Sequence, residues 1–394
     1  MDFDIVVVGG GLAGASLAAA LADGAHRVAL IERKAPPEPA PEWDSRVYTL
    51  TPASIAFLEH AGAWQRVAAE RTTPIYDMRV YGDDERSRLD FSAYESGVLQ
   101  LAATVESGRL HHALWQGLER QRNLSLLCPA APSELRRAGH GVEIGLDRGQ
   151  VARAKLVIGA DGSDSWVRSA ADIAVRRESY DQLGVVANFA CERAHRNIAH
   201  QWFRGDGVLA YLPLPGQRIS IVWSTDQAHA RELLGLAPAA LCRRVSEAGR
   251  GILGALEPIT AAAVFPLGRM VCDRLAQERI ALIGDAAHVV HPLAGQGINL
   301  GFGDAHCLAD LVRGAADPGD PLLLRRFERA RAEDILALRW LTGGLFRLFH
   351  TNDRMLRWIR NLGLNLTNSN AVIKTLLARR ATAVGAGLDH EEQT

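Results

Sequence analysis

Residues 5–8 (IVVV) are an unbroken apolar run ending in the glycine-rich GGGLAG. An alanine-rich amphipathic stretch follows, then a second apolar run at 28–31 and the acid Glu32. That pattern predicts strand, turn, helix and strand. Gly9, Gly11 and Gly14 have the G-x-G-x-x-G spacing. The first allows a tight turn, the second lets backbone approach a pyrophosphate, and the third lets the helix pack closely on the strand. Phosphates placed there meet free N–H groups at a helix N-terminus. Glu32 ends the second strand, about 20 residues on, where a carboxylate accepts hydrogen bonds from an adenosine ribose. An acid at that point suits FAD or NAD and disfavours a 2′-phosphate.

The proline-rich KAPPEPAPEWDSR (34–46) can be neither helix nor central strand and delivers Asp44 and Arg46 to a loop. Arg46 reads equally as a surface arginine or as a phosphate or ribityl contact. A helix follows, with Thr51 as N-cap and Pro52 at its first position. Residues 75–91 alternate as paired strands, and 106–122 reads as a helix with Leu110, Leu114 and Leu118 on its core face. Short strands are expected at 124–128 and 142–146, with RRAGHG turning between them. In AKLVIGADGSDSWVRSAA (154–171), a buried strand at 156–158 runs into Asp161 between glycines, then into a helix carrying Arg168. Asp161 is either a ligand-binding acid at a strand's carboxyl end or a simple Asp-Gly turn.

From 184 to 225 the period shortens to two, and Gly and Pro break the runs, which predicts an inserted antiparallel sheet. Trp202, Phe203, Tyr211 and Trp223 would supply an aromatic wall there; aromatic side chains in strands are usually core, but a sheet floor against a flat cofactor is also a natural place for an aromatic substrate. Helices near 227–249 and a strand at 259–267 precede ERIALIGDAAHVVHPLAGQGINLGFGDAHCLADLV (278–312). Its strand, 280–283, ends at Gly284 and Asp285. Pro292, Gly295 and Gly297 shape a loop into a helix from near Ile298 to Leu311, whose positive end faces the crevice. His288 and His291 lack the further ligands that zinc needs, so no metal site is expected. The chain is helical from Pro321. Over 336–366, Trp340, Phe346, Phe349 and Trp358 mix with Arg347, Arg354 and Arg357, a pattern shared by core-packed and interfacial helices. The tryptophans tip the reading towards peripheral membrane contact. The tail 382–394 is expected to be disordered.

A length of 394 residues implies two domains or one large α/β unit with insertions, and 48% hydrophobic with 23% charged residues is ordinary for a folded chain. A net charge of -1 offers no field for nucleic acid. The five cysteines include no C-x-x-C and read as reduced thiols. The N-terminal apolar run is already used by the glycine turn, so a cytoplasmic protein is expected, with membrane association no more than peripheral at the inner face. No apolar stretch reaches the ~20 residues of a spanning helix.

Together, GGGLAG with Glu32, GADGSDSWVR, and GDAAHVVHPLAGQGINLG resemble the class A flavoprotein aromatic hydroxylases of the para-hydroxybenzoate hydroxylase type. DSRVYTLTPASIAFLEHAGAW, GVLAYLPLPGQRISIVW and FPLG narrow the resemblance to the ubiquinone-biosynthesis hydroxylases of the UbiH/UbiF/COQ6 type, over nearly the whole length. It implies an α/β fold: a discontinuous Rossmann-type FAD-binding domain (1–75, 92–180, 270–330), an inserted antiparallel-sheet substrate domain (76–91, 181–269) and C-terminal helices (331–381). It implies FAD as cofactor, held by Gly9, Gly11, Gly14, Glu32, Arg33, Arg46, Arg109, Asp161, Asp285, Gly295, Gly297, Ile298 and Asn299. Pro292, Gly295, Gln296 and Gly297 would lie at the flavin ring. NADH or NADPH would be the electron donor and O2 the co-substrate, with oxygen transferred from a flavin C4a-hydroperoxide to a polyprenylated phenol. A small soluble phenol is the alternative substrate, and a ubiquinone-biosynthesis complex the implied partner. Where the family often carries Asn or Gln, this chain has Ser107.

Overall fold

The computed structural model describes residues 1–84, 87–147, 149–290 and 297–349, with side chains up to 337. Its first sheet runs, in spatial order, Ala276–Gln277, Ile280–Leu282, Val151–Gly159, Asp2–Val8, Val28–Ile31 and Leu124–Leu127. The last five of these strands are parallel, with Ile5 beside both Leu156 and Val28. The central strand is buried on both faces, which explains its unbroken apolar spelling. Ile5 and Val7 pack under the helices Leu12–Ala20, Ser107–Leu118 and Gly297–Arg313. Val6 and Val8 face a second cluster containing Ile144, Val167 and Ala286.

RRAGHG joins Pro132–Ala138 to Gly141–Leu146 as an antiparallel hairpin, so it does not turn between the two strands expected. Leu124–Leu127 instead extends the parallel sheet, beside Val28–Ile31. The polar surface of Pro132–Ala138, with Glu134, Arg136 and Arg137, hid that strand from an apolar-pattern reading.

The second sheet is antiparallel apart from one pair. It runs His288–Val289, Ala263–Cys272, Val175–Cys191, Arg218–Asp226, Gly207–Leu214, Ile198–Arg204, Asp77–Tyr81 and Arg88–Ser92. Trp202, Tyr211 and Trp223 point to the face covered by the helices Gln227–Gly235 and Pro238–Ala248, where they pack with Leu233, Leu241 and Val245. They are core, and the expected aromatic wall is not formed by them. Phe203 lies on the other face, but is packed against Val80, Leu89 and Val208. A third, three-stranded sheet joins Val47–Leu50, Ala102–Glu106 and Thr72–Ile75.

The helix Pro321–Phe349 continues past the side chains described here, and residues 350–394 lie outside the description, as do the interfacial and disordered readings placed on them. No helix among the described residues is long and apolar enough to cross a membrane.

His200 stacks on Tyr81 and Trp202, and its Nδ1 lies 3.2 Å from the Tyr81 hydroxyl. Burial, with Arg79 and His195 nearby, pushes its pKa down from 6.5 to about 3. The unfolded chain therefore takes up a proton below pH 6.5 that the folded chain refuses. Stability is fully present above that pH and falls as pH drops towards 3, by at most about 1.4 kcal/mol per pH unit. His200→Phe keeps a ring in the stack, and thermal melts from pH 7 to pH 4 should show a shallower acid loss than wild type. An unchanged slope would show that His200 is not the group responsible.

Candidate functional site

The glycine turn has three distinct geometries. Gly9 has φ +104, and a Cβ there would lie 2.4 Å from the Ala160 carbonyl oxygen. At Gly14 a Cβ would lie 2.0 Å from the Gly9 oxygen, so strand and helix touch only because the side chain is absent. Gly11 has nothing within 4 Å of such a carbon. It is also the N-cap of Leu12–Ala20 and provides no side-chain cap. The helix N–H groups thus open onto free space, which is what a pyrophosphate requires.

Glu32 borders this turn. Its carboxylate accepts from the backbone N–H of Gly10 at 2.6 Å, Arg33 at 2.7 Å and Lys34 at 3.1 Å. These bonds fix the acid at the strand end and leave lone pairs for hydroxyl donors. The Arg33 side chain is exposed. The middle glycine, which the motif leaves unspecified, is also constrained: a Cβ on Gly10 would lie 2.7 Å from the Trp115 ring. The sequence pattern gave no sign of that requirement.

The second motif is a support. Asp161 accepts from the Ser165 hydroxyl at 2.5 Å and from the N–H groups of Trp166 and Val167 at 2.7 and 3.1 Å, capping the short helix Trp166–Ala170. Arg168 is buried and donates to the carbonyls of Ser163 and Ala286, tying this loop to the third motif.

In the third motif Gly284 turns with φ +58, followed by Asp285. Asp285 is exposed as a residue, yet desolvation raises its pKa, against the opposing pull of His288 and Arg46. Beneath it is a network of polar groups inside the core. Asp304 accepts from Gly284 N–H at 3.0 Å and from Arg331 Nε at 2.9 Å, and its Oδ2 lies 2.6 Å from His288 Nε2. Burial works to raise the Asp304 pKa, but His288 and Arg331 outweigh it and hold the group below the usual carboxylate value. Pro292, Gly295 and Gln296 lie outside the described residues, and Gly297 opens the helix Gly297–Arg313 with Ile298 beside it. Asn299 is buried, and its amide takes the Thr51 N–H and donates to the Thr49 carbonyl, both at 2.9 Å. Its side chain therefore fastens the helix to the loop after strand Val47–Leu50.

Arg46 is exposed, lies over the Tyr48 ring, and makes no ion pair with a described residue. Its loop is held by helix Ser107–Leu118: Ser107 N–H donates to the Arg46 carbonyl at 2.9 Å and Gly108 N–H to Asp44 at 3.2 Å. Buried Glu106 anchors the rest. It accepts from Arg71, Arg109 and the Asp44 N–H, while Arg71 and Arg109 donate onward to the carbonyls of Ala40, Pro41 and Glu42. Arg109 is therefore a clamp on the proline-rich loop through its Nε and one Nη.

Facing the loop is the open side of the second sheet. Asn188 Nδ2 donates to the Asp44 carbonyl at 2.8 Å. Residues paired across strands point to one side, so Asn188, Ser220 and Leu212 share this face, as do Val186, Val222 and Ala210. Leu212, Val222 and Ala210, with Phe265 over Gly184, are only half-buried. The site thus pairs a phosphate cradle with a small-residue apolar floor.

Such a cradle on a parallel sheet, with a second sheet beside it, defines a flavin-dinucleotide type of α/β protein. The chain belongs to the FAD binding domain family, whose model matches residues 2–335, and within it to the ubiquinone-biosynthesis hydroxylases. It is 35% identical to the 3-demethoxyubiquinol 3-hydroxylase of Escherichia coli, over 98% of each chain. It is 34% identical to the ubiquinone hydroxylase UbiL of Rhodospirillum rubrum, over 96% of this chain and 89% of that one. Among solved structures, PqsL of P. aeruginosa in complex with 2-aminobenzoylacetate superposes with a TM-score of 0.77 at 26% identity, covering 93% of this chain and 100% of that one.

Two substitutions probe this framework. Asp304→Asn removes the buried carboxylate charge that Arg331 otherwise shares only with the half-exposed Asp334, and should cost about 3–5 kcal/mol, read as a lower melting temperature; an unchanged melt would mean that the network is not load-sharing. Glu106→Gln should free the proline-rich loop, raising tryptic cleavage after Lys34 and Glu-specific cleavage after Glu42 on the order of tenfold. Equal cleavage in wild type and variant would place the clamp elsewhere.

Proposed function

We propose that this chain is an FAD-dependent monooxygenase that hydroxylates the aromatic ring of a polyprenylated phenol in ubiquinone biosynthesis, using NAD(P)H and O2. The observation that carries the reading is the end-to-end similarity to a 3-demethoxyubiquinol 3-hydroxylase, in a chain whose phosphate cradle opens beside an apolar sheet face. The residues present fit FAD: Gly11 offers space where a Cβ would intrude on a pyrophosphate, and Arg46 is an exposed cation with no ion pair among the described residues.

When bound, FAD supplies the redox and oxygen-transfer chemistry. The N–H groups at the start of Leu12–Ala20 and the Arg46 guanidinium would hold the pyrophosphate, Glu32 the adenosine ribose, and Asp285 the ribityl hydroxyls. The start of Gly297–Arg313, at Gly297 and Ile298, would direct its positive end at the flavin ring. The half-buried floor of Val222, Ala210 and Leu212 would seat the phenol ring and exclude water, which protects an oxygen-transferring state from unproductive decay. The division into a cofactor-binding part (1–75, 92–180, 270–330) and a substrate-binding part (76–91, 181–269) belongs to this reading, as do a biosynthetic complex and peripheral contact at the inner membrane face.

Similarity to PqsL with its small aromatic ligand supports a second reading, hydroxylation of a small soluble phenol. One incubation separates the two: purified protein with 18O2, NADH or NADPH, and a short-tailed prenylphenol or its tail-less parent. One labelled oxygen in the prenylated ring alone is expected, and labelling of the tail-less phenol alone selects the second reading. With FAD bound, a product that carries no label from either phenol would sink both.

A further inference from the structure

The carbonyl oxygen of Gly10 takes two side-chain donors from one helix face: His111 Nε2 at 2.6 Å and Trp115 Nε1 at 2.8 Å. The N–H of the same residue is taken by Glu32, and that of Gly9 by the Ile31 carbonyl. Gly11 therefore carries the first N–H of the turn with no acceptor among the described residues. In a trans peptide the N–H points opposite to the carbonyl. Fixing the Gly10 oxygen against helix Ser107–Leu118 thus fixes the Gly11 N–H in the opposite direction, towards the open side of the turn. Two donors on one carbonyl also polarise the peptide and make its N–H a stronger donor.

Both donors are built for this task. Trp115 is 4% exposed, and its ring occupies the place that a Gly10 side chain would need. His111 has its pKa lowered by burial, and as a neutral ring it must carry its proton on Nε2 to donate to a carbonyl, which only accepts.

We propose that His111 and Trp115 are positioning residues for the dinucleotide: together they preform the glycine turn and aim the Gly11 N–H at the pyrophosphate. The proposal rests on the FAD reading above. Its test uses apoprotein titrated with FAD, followed by flavin fluorescence, with ADP as competitor and the apoprotein melting temperature measured beside it.

Trp115→Phe and His111→Leu each remove one donor while the other still satisfies the carbonyl. Each should weaken FAD roughly 3- to 10-fold and weaken ADP by the same factor, with little change in the apoprotein melt. His111→Gln, which keeps an N–H donor, should recover most of the affinity. Wild-type affinity in both donor-less variants would overturn the proposal. So would a loss of FAD affinity that follows a fall in the apoprotein melt, or one that spares ADP, because either would mark general loosening. Failure of the wild-type protein to bind FAD at all would instead overturn the underlying cofactor reading.

Discussion

A carboxylate with no exposure to water, Asp304, joins four parts of this molecule. It sits mid-way along Gly297–Arg313 and holds the turn at Gly284, the strand His288–Val289 and, through Arg331, the helix Pro321–Phe349. A buried charge of this kind is tolerated only when paired and fully hydrogen-bonded. Asp304 meets that condition with one cationic partner, one imidazole and one backbone N–H. Because its partners lie on separate segments, the carboxylate is satisfied only when all of them are in place. The position of Asp285, one residue beyond the anchored Gly284, follows from that requirement.

The same economy governs the rest of the site. Its corners all lie just past the carboxyl ends of parallel strands: Gly9 after Asp2–Val8, Glu32 after Val28–Ile31, Asp161 after Val151–Gly159 and Asp285 after Ile280–Leu282. Ligands in such sheets bind outside these ends because backbone there leaves the ladder with its polar groups unsatisfied. Here each turn is cross-braced to another. Arg168 links the Asp161 loop to Ala286, and helix Ser107–Leu118 links the glycine turn to the Arg46 loop.

Much of this was legible in the sequence, wherever function and local geometry use the same residues. The glycine spacing, the acid after the second strand and the strand-to-turn passages at Asp161 and Asp285 depend on short-range pattern, and the strands, turns and helices followed it. What the pattern did not carry was partnership. Arg109 was read as a cofactor contact and Asn299 as offering its backbone N–H to the flavin ring; the pattern gave no sign that the Arg109 side chain bonds Glu106 or that the Asn299 amide bonds the backbone of Thr49 and Thr51. Trp202, Tyr211 and Trp223 alternate correctly for a sheet face, yet period alone cannot say which face helices will cover. Gly10, His111 and Trp115 were silent because their contact spans about a hundred residues and no motif records it.

The distribution of satisfied and unsatisfied groups therefore separates scaffold from site. Asp161, Arg168, Arg109, Glu106 and Asn299 spend their polar atoms on the protein itself. The Gly11 N–H, the Arg46 guanidinium and the Asp285 carboxylate have no hydrogen-bond partner among the described residues, and Arg46 lies close enough to Asp285 for its charge to be felt there. On the neighbouring sheet face Asn188 Oδ1 and Ser220 Oγ are buried without a hydrogen-bond partner among the described residues, while Arg46 and Asp285 are exposed to water. Arg46 and Asp285 influence each other's charge without pairing, which leaves both free for the roles given to them in the proposed function.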